Sequence, residues 1–335
     1  MIPAIFGLSG PTLTDDERAF FRDSEPAGYI LFGRNIENRE QLRRLTDDLR
    51  SLDGRSNLPI LIDQEGGRVA RMKSPEWPDF PSGAAFDALY ERAPASAIEA
   101  ARLNAMALAS MLAEVGITVD CLPLLDVRQP GASDVIGDRA LGSEPMRVAA
   151  LGRAILSGLQ DGGVVGIVKH IPGHGRALLD SHEELPVVTA TDHDLQSDLA
   201  PFAALRDAAM AMTCHVVFNA WDPDRPATLS PLVIDSVIRQ RIGFHGLLMT
   251  DDLDMKALSG DVPSRAAAAI AAGCDIALNC WARMDDMIGI ANALGPISEK
   301  ALARLDGAMD RVAGVRDPRQ FAMLVDQRDA LLAIA

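Results

Sequence analysis

Eight short apolar segments alternate along the chain with longer segments of helical periodicity. The apolar segments end in polar or glycine-rich residues and cover residues 2–8, 28–32, 59–62, 120–125, 164–168, 211–217, 247–249 and 275–278. This alternation is typical of β/α repeats, and near-continuous apolar strands fit a parallel sheet buried on both faces. Because eight such repeats close a barrel, we predict an α/β fold with a (β/α)8 TIM-type barrel.

The segments between the apolar runs have the spacing of amphipathic helices. In residues 39–50, Leu42, Leu45 and Leu49 recur at the helical period. The other predicted helices cover residues 95–115, 145–161, 192–208, 231–241, 264–272 and 284–293. We expect terminal helices packed on the outside of the barrel after about residue 296. No linker-like tract interrupts the chain, which favours a single catalytic domain over residues 1–335, although two doubly wound domains also fit these segments.

The charge, the cysteine spacing and the lack of long apolar segments argue against several kinds of binding partner and site. The net charge of −15 argues against binding to nucleic acid or an anionic membrane, since both require concentrated Lys and Arg. The four cysteines have no metal-ligand spacing and are predicted to be buried free thiols. The N-terminus lacks a signal-peptide pattern, and no segment reaches the roughly 18 apolar residues of a membrane span. We expect a cytoplasmic monomer that acts on a small molecule.

Polar residues stand at the ends of nearly all the later predicted strands. They are Asp63, Gln64, Glu65, Asp126, Lys169, His170, His215, Thr250, Asp251, Asp252 and Asn279. Active sites of (β/α)8 barrels lie at the carboxyl ends of the strands, where these side chains would meet. The pattern therefore predicts a pocket lined for a polar ligand, and a sugar is a natural candidate.

The segment after the fifth predicted strand carries a candidate acid/base. Residues 169–175 read KHIPGHG and are followed by Asp180, Ser181 and His182. In an extended segment, residues two apart share one side, so the Asp180 carboxylate would hold one imidazole nitrogen of His182 and leave the other free. Because an imidazole titrates near ~6.5, such a pair is competent for general acid/base catalysis at neutral pH.

The same histidines also fit a metal site. His170, His174, Asp180 and His182 together supply ligands suited to zinc, as in a metal-dependent hydrolase. Against this, His170 and His174 flank a Pro-Gly turn, and no His-X-His follows the first strand. The residue pattern by itself leaves both interpretations open.

Three motifs resemble a known family in residues, order and spacing. They read LIDQEGGRV at 61–69, KHIPGHG at 169–175 with Asp180-Ser181-His182, and TDDLDM at 250–255. Together they resemble the bacterial β-N-acetylglucosaminidases of glycoside hydrolase family 3, from LFGRN at 31–35 to AGCD at 272–275. Ile171 stands where the family usually has Phe, and Thr250 and Asp254 where Ser is common. None of these departures removes a group with a chemical role.

The resemblance implies roles for individual residues. Asp251 matches the nucleophile that attacks the anomeric carbon, and Asp252 is an orienting or structural neighbour. His182 matches the acid/base, and Asp180 is its dyad partner. The positions matching substrate-binding residues are Asp63, Arg71, Arg139, Lys169 and His170, and His215 is expected to line the same pocket.

The resemblance also implies an activity. It is that of a retaining exo-β-N-acetylglucosaminidase, which works through a covalent glycosyl-enzyme without metal or cofactor. Because the barrel carries its own Asp-His dyad, the chain is similar to the compact enzymes of peptidoglycan recycling, which act on 1,6-anhydro-muropeptides. Transfer of the sugar to phosphate, as in some relatives, and sugar binding without catalysis are the alternatives. The glycine-rich loop after the fifth strand is expected to move His182 over the bound sugar.

Overall fold

The computed structural model describes residues 1–312 and 320–334 of the chain. Eight parallel strands form a closed barrel with helices around it, which confirms the predicted fold class. The strands are β1 (Ile2–Gly7), β2 (Pro26–Leu31), β3 (Ile60–Ile62), β4 (Val119–Asp120), β5 (Val165–Ile171), β6 (Met210–Thr213), β7 (Leu247–Asp252) and β8 (Ile276–Asn279).

Sequential strands are neighbours all the way round, and the last one pairs with the first. The closing register sets Ala4 of β1 opposite Ala277 of β8, while Tyr29 of β2 lies opposite Ile60 of β3. The alternative of two doubly wound domains is therefore wrong, because an open sheet would leave β1 and β8 as unpaired edges.

Ten α-helices are described, and two of them, α5 and α8, have the bounds predicted from the sequence. They are α1 (Asp15–Ser24), α2 (Arg39–Asp53), α3 (Gly83–Arg92), α4 (Pro94–Glu114), α5 (Pro145–Asp161), α6 (Gln196–Ala204), α7 (Val262–Ala272), α8 (Met284–Ala293), α9 (Glu299–Met309) and α10 (Gln320–Leu332). A π-helix, Val233–Ile242, follows β6 where an α-helix was expected. None of the described helices is both long and apolar enough to cross a membrane.

Several predicted boundaries were wrong for local reasons. The apolar run 211–217 is not one strand, because β6 ends at Thr213 and Val217–Phe218 pairs in a separate sheet with Val187–Val188 and Asp222–Pro226. The helix predicted over 192–208 is only α6, since Thr191 and Asp194 bond each other in a turn before it. Helices α1 and α3 were missed.

The interior of the barrel is filled by every second residue of the strands. Val165 and Ile167 of β5 and Leu247 and Met249 of β7 lie in this buried core. The same period of two carries the next inward positions, Lys169 and Asp251, to the carboxyl end of the barrel, where they line a cavity. Apolar packing below therefore fixes the direction of the polar side chains above.

The terminal helices differ from one another in position. Leu305, Ala308 and Met309 of α9 pack against the core inside the barrel, so α9 closes its amino end. The expectation that both terminal helices lie on the outside was thus wrong for α9. Helix α10 packs on α3 and α4, with Arg328 bonded to Asn104.

Gly175 holds the loop after β5 against the end of the fourth repeat. A Cβ added there would lie 2.0 Å from the Val127 carbonyl oxygen. We predict that Gly175→Ala lowers the free energy of unfolding by about 1–3 kcal/mol, because one segment must shift to remove the clash. Denaturant unfolding of this variant and of Gly10→Ala checks this; no described atom lies within 4 Å of a Cβ at Gly10. Equal stability of the two variants would contradict the prediction.

Candidate active site

A cavity of about 320 Å³ opens at the carboxyl end of the barrel. Its volume suits a small ligand, and its wall mixes apolar and charged side chains. Seven of the nine predicted site residues line it: Asp63, Arg71, Arg139, Lys169, His170, His182 and Asp251. Asp180 lies just behind the wall, bonded to His182, whereas His215 lies deeper.

Asp251 and Asp252 lie on β7, not after it as the sequence pattern suggested, and both line the cavity. Asp251 is only 9% exposed, and its Oδ1 accepts a hydrogen bond of 2.7 Å from the backbone N–H of Asp252. Asp252 accepts from the backbone N–H groups of Asp254 (3.2 Å) and Cys280 (3.1 Å). Burial, with the nearby Asp254 carboxylate, raises the pKa of Asp252 to about 7. The two carboxyls thus have different environments.

A network of five charges lies on the side of β3, β4 and β5. Lys169 Nζ lies 3.0 Å from Asp63 Oδ1 and 2.7 Å from Glu65 Oε1. Arg139 holds Glu65 with two hydrogen bonds of 2.8 Å, and Arg71 lies 3.0 Å from Asp63 Oδ2. Three cations and two carboxylates therefore share one corner of the cavity.

These partners determine the ionisation of the network. Burial alone would raise the pKa values of Asp63 and Glu65, but Lys169 with Arg71 and Arg139 outweighs it, so both pKa values are lowered. Burial likewise opposes the charge of Lys169, yet the two carboxylates raise its pKa. All three groups stay charged at neutral pH. The network offers a ligand carboxylate acceptors and cationic donors at fixed positions, which suits sugar hydroxyls.

His170 and His174 are both organised by Asp126, beneath the loop after β5. His170 Nδ1 lies 2.7 Å from Asp126 Oδ2, and Oδ1 accepts from the His174 backbone N–H at 2.7 Å. Burial raises the pKa of Asp126, but the contact with His170 outweighs burial and lowers this pKa to about 2. Burial lowers the pKa of His174 to about 4, so that imidazole is neutral at neutral pH. Asp126 was recognised as a strand-end residue, but its pairing with His170 was not predicted.

Asp180 and His182 form the expected pair, although the segment is a turn and not extended. Asp180 Oδ1 accepts from the His182 backbone N–H at 2.9 Å and lies 2.7 Å from its Nδ1. Burial raises the pKa of Asp180, but these bonds to His182 outweigh it and lower the pKa. The predicted geometry was wrong because an Asx turn, in which Asp bonds the backbone two residues on, brings the side chains together more closely than an extended strand. Nε2 of His182 is left free to face the cavity.

The loop that carries His182 is tied to the loop after β7. Ser181 Oγ lies 3.3 Å from His174 Nε2 and 3.8 Å from Met255 Sδ. The Ala257 N–H donates to the Ser181 carbonyl at 3.3 Å, and Lys256 pairs with Glu183 at 2.6 Å. His182 is thereby connected to the segment that continues from Asp251.

His215 does not line the cavity, which corrects the expectation from the resemblance. It is fully buried, with Nδ1 2.8 Å from Thr228 Oγ1 and Nε2 2.9 Å from the Asp252 carbonyl oxygen. Burial lowers its pKa. The chain leaves the barrel after Thr213, and His215 contacts the backbone of β7 from outside the cavity, so it supports the strand that carries Asp251.

Several lining residues were not found from the sequence. The wall also contains Phe32, Arg34, Ile136, Met255 and Trp281. The guanidinium groups of Arg34 and Arg71 lie 4.8 and 5.3 Å from the centre of the Phe32 ring. Phe32 is the last residue of the apolar run 28–32, so the strand-end rule applied to aromatic residues would have selected it. Arg34 and Met255 lie in the quoted segments 31–35 and 250–255 but were given no role, and Ile136 and Trp281 lie in loops without a spacing signal.

The proposed metal ligands do not come together. Within residues 1–312 and 320–334, no group of three or more His, Cys, Asp or Glu side chains is arranged to hold a metal ion. His170 is committed to Asp126 and His182 to Asp180, and all four cysteines are buried and free.

The raised pKa of Asp252 predicts a pH dependence of stability. An unfolded Asp titrates near ~3.9, so the folded state holds the Asp252 proton more tightly and its stabilising effect is lost as the pH rises towards about 7. Asn does not titrate and so avoids this loss. Between pH 4.5 and 7, we expect the unfolding free energy of Asp252→Asn to rise by about 2–3 kcal/mol relative to that of the wild type. Urea denaturation at the two pH values measures this. If the unfolding free energy changed between the two pH values by the same amount in Asp252→Asn and in the wild type, the assignment of this effect to Asp252 would be refuted.

The chain was compared with protein families and with known proteins. Residues 7–315 match the model of the glycosyl hydrolase family 3 N-terminal domain. The β-hexosaminidase of Aromatoleum aromaticum is 36% identical over 92% of this chain and 87% of its own length, and that of Alkalilimnicola ehrlichii is 38% identical over 91% and 88%. Among solved structures, NagZ from Neisseria gonorrhoeae in complex with N-trifluoroacetyl-D-glucosamine superposes with a TM-score of 0.87 at 30% identity, covering 99% of this chain and 97% of that one.

Proposed function

The chain belongs to glycosyl hydrolase family 3, and from this we propose that it is a retaining exo-β-N-acetylglucosaminidase that releases terminal N-acetylglucosamine through a covalent intermediate on Asp251. That it is a glycoside hydrolase of the β-hexosaminidase type follows from its relatives. One observation carries the finer proposal: Asp251 on the inner face of β7 and His182, held by Asp180, line the same cavity.

In the proposed first step, Asp251 attacks the anomeric carbon and displaces the leaving group. The N–H of Asp252, which donates to Asp251 Oδ1, orients the carboxylate, and the other oxygen is available for attack. His182 protonates the departing glycosidic oxygen from Nε2 while Asp180 stabilises the charge on the ring at Nδ1. The bond between the anomeric carbon and the leaving oxygen breaks as the bond to Asp251 forms.

In the second step, water replaces the leaving group. His182, now neutral, removes a proton from the water as its oxygen attacks the anomeric carbon, and Asp251 leaves as a carboxylate. The imidazole is thereby returned to its protonated form. Retention follows because the carbon is attacked twice from opposite faces. His182 is 57% exposed as a side chain, so the incoming water has access to it.

The charged corner is proposed to bind the sugar itself. Asp63 accepts hydrogen bonds from sugar hydroxyls, while Lys169, Arg71, Arg139 and His170 donate to its oxygen atoms. The support for this is the fixed geometry of the network, in which each carboxylate is already paired. The terminal sugar would be oriented before reaction with little further loss of conformational entropy by these side chains.

Substrate and location complete the proposal. We propose muropeptides with a 1,6-anhydro-N-acetylmuramic acid residue as the natural substrates, in cytoplasmic peptidoglycan recycling by a monomeric enzyme. The dyad within the barrel supports this choice, because no residue from another domain is needed as acid/base.

Replacement of Asp251 tests the nucleophile. We expect Asp251→Ala to lower kcat by at least about 10³-fold, because the covalent route is lost. The assay is hydrolysis of a nitrophenyl N-acetyl-β-glucosaminide, with Asp285→Ala as a control that removes an exposed carboxylate from α8. Parallel assays with phosphate and with EDTA test the phosphorolytic and metal-dependent alternatives. Full activity in Asp251→Ala would exclude this mechanism.

Replacement of His182 tests the acid by its dependence on the leaving group. We expect His182→Ala to lower kcat/KM for a methyl glycoside by about 10²–10⁴-fold, and less for a nitrophenyl glycoside, because an acidic phenol departs without protonation. Asp180→Asn should show the same order with smaller losses. Exposed His193 provides the matched control, His193→Ala. Equal losses for both substrates would contradict the assigned role.

A further inference from the structure

Trp281 follows β8 and stands at the rim of the cavity. It is 62% exposed, and it is the one aromatic residue among the large apolar side chains exposed in the described part of the chain. A ligand that covers an exposed indole removes apolar surface from water, which favours binding. An aromatic residue exposed at a cavity mouth is thus a candidate for ligand contact.

The backbone that presents Trp281 is fixed on both sides. Before it, the Cys280 N–H donates to Asp252, and the Cys280 carbonyl accepts from Arg34. After it, Ala282 has the left-handed φ of +56°, which is unfavourable for alanine and needs support from its surroundings. Arg283 supplies such support by pairing with Asp254 and Asp286. Since the backbone is already ordered, stacking on the indole costs little additional entropy.

The order of the strands places Trp281 relative to the reaction. The charged network is centred on β4, and β8 is four strands away, on the opposite side of the barrel. Asp251 lies on β7, next to β8, and the loop with His182 reaches the same side through Ser181 and Met255. A sugar whose hydroxyls bind the network therefore directs its anomeric carbon towards Asp251. The leaving group lies on the face opposite Asp251, on the side of His182, and so points to the mouth of the cavity, where His182 and Trp281 are exposed.

We propose that Trp281 forms the binding subsite for the leaving group and stacks on the face of a second pyranose ring. This rests on the proposed function. A β-linked pyranose has a flat face of C–H groups that fits an indole plane, while its equatorial hydroxyls point outward to water. Trp Nε1–H is in addition a hydrogen-bond donor for a sugar oxygen. The site thereby prefers a sugar leaving group over one without a ring.

The test compares two leaving groups in Trp281→Ala. The ratio of kcat/KM for a β-1,4-linked N-acetylglucosamine disaccharide to that for methyl N-acetyl-β-glucosaminide is expected to fall about three- to tenfold, the equivalent of one aromatic stacking contact. Trp281→Phe should keep most of the ratio, since it retains a flat ring. Met146→Ala, which removes an exposed apolar side chain from α5, is the control and should leave the ratio unchanged.

The inference would be overturned if Trp281→Ala left the ratio unchanged, or if Trp281→Phe lowered the ratio as much as Trp281→Ala does. Either result would leave the proposed function intact. Hydrolysis by the wild type tests the proposed function separately.

Tryptophan fluorescence on titration of Asp251→Ala with the disaccharide detects the contact without turnover. The fluorescence change should disappear when Trp281→Phe is added to this variant, since Trp77 is buried and Trp221 packs on Phe218. A signal that persists would overturn the inference even in a protein that hydrolyses neither substrate.

Discussion

Closure of the barrel is the constraint on which the rest of the structure depends. Once β1 pairs with β8, every strand has two neighbours and one face directed inward. The inward positions alternate with period two, so the apolar residues that fill the interior also determine which residues appear at its carboxyl end. Lys169 stands above Ile167, and Asp251 stands above Met249. The side chains of the site thus occupy the inward strand positions that follow those of the core, with polar residues in place of apolar ones.

Placing charges on top of an apolar core requires that they neutralise one another. Lys169 is almost completely buried and would be strongly destabilising alone, as would Glu65. Each satisfies the other, and Arg139 completes the pairing of Glu65 with a bidentate contact. Asp63 and Arg71 are the members of the network that keep the most exposure, 18% and 30% of their side chains. The network is therefore both a condition for folding and the source of fixed donors and acceptors for a ligand.

The sequence predicted the parts that depend on local periodicity. The apolar runs gave the eight strands, and helices α5 and α8 were placed correctly at both ends. The Asp180-His182 pair was also identified, because both partners lie two residues apart in the chain. The pairings of Lys169 with Glu65 and of His170 with Asp126 join distant positions, so no local pattern contains them. His215 was misplaced for a different reason, since the apolar run around it continues beyond Thr213, where the strand ends.

The two central residues of the proposed mechanism stand in opposite environments, and the fold explains why. Asp251 lies within a strand, between Met249 and Asp252, which both pair with β8, and little of it is exposed. His182 lies in a turn over the mouth, and more than half of its side chain is in contact with solvent. A nucleophile needs a fixed direction of attack, whereas an acid/base must exchange its proton with the leaving group and then with water. A strand meets the first requirement and a loop the second. The contacts of Ser181 with His174 and Met255 connect the two elements, so His182 is exposed without being independent of Asp251.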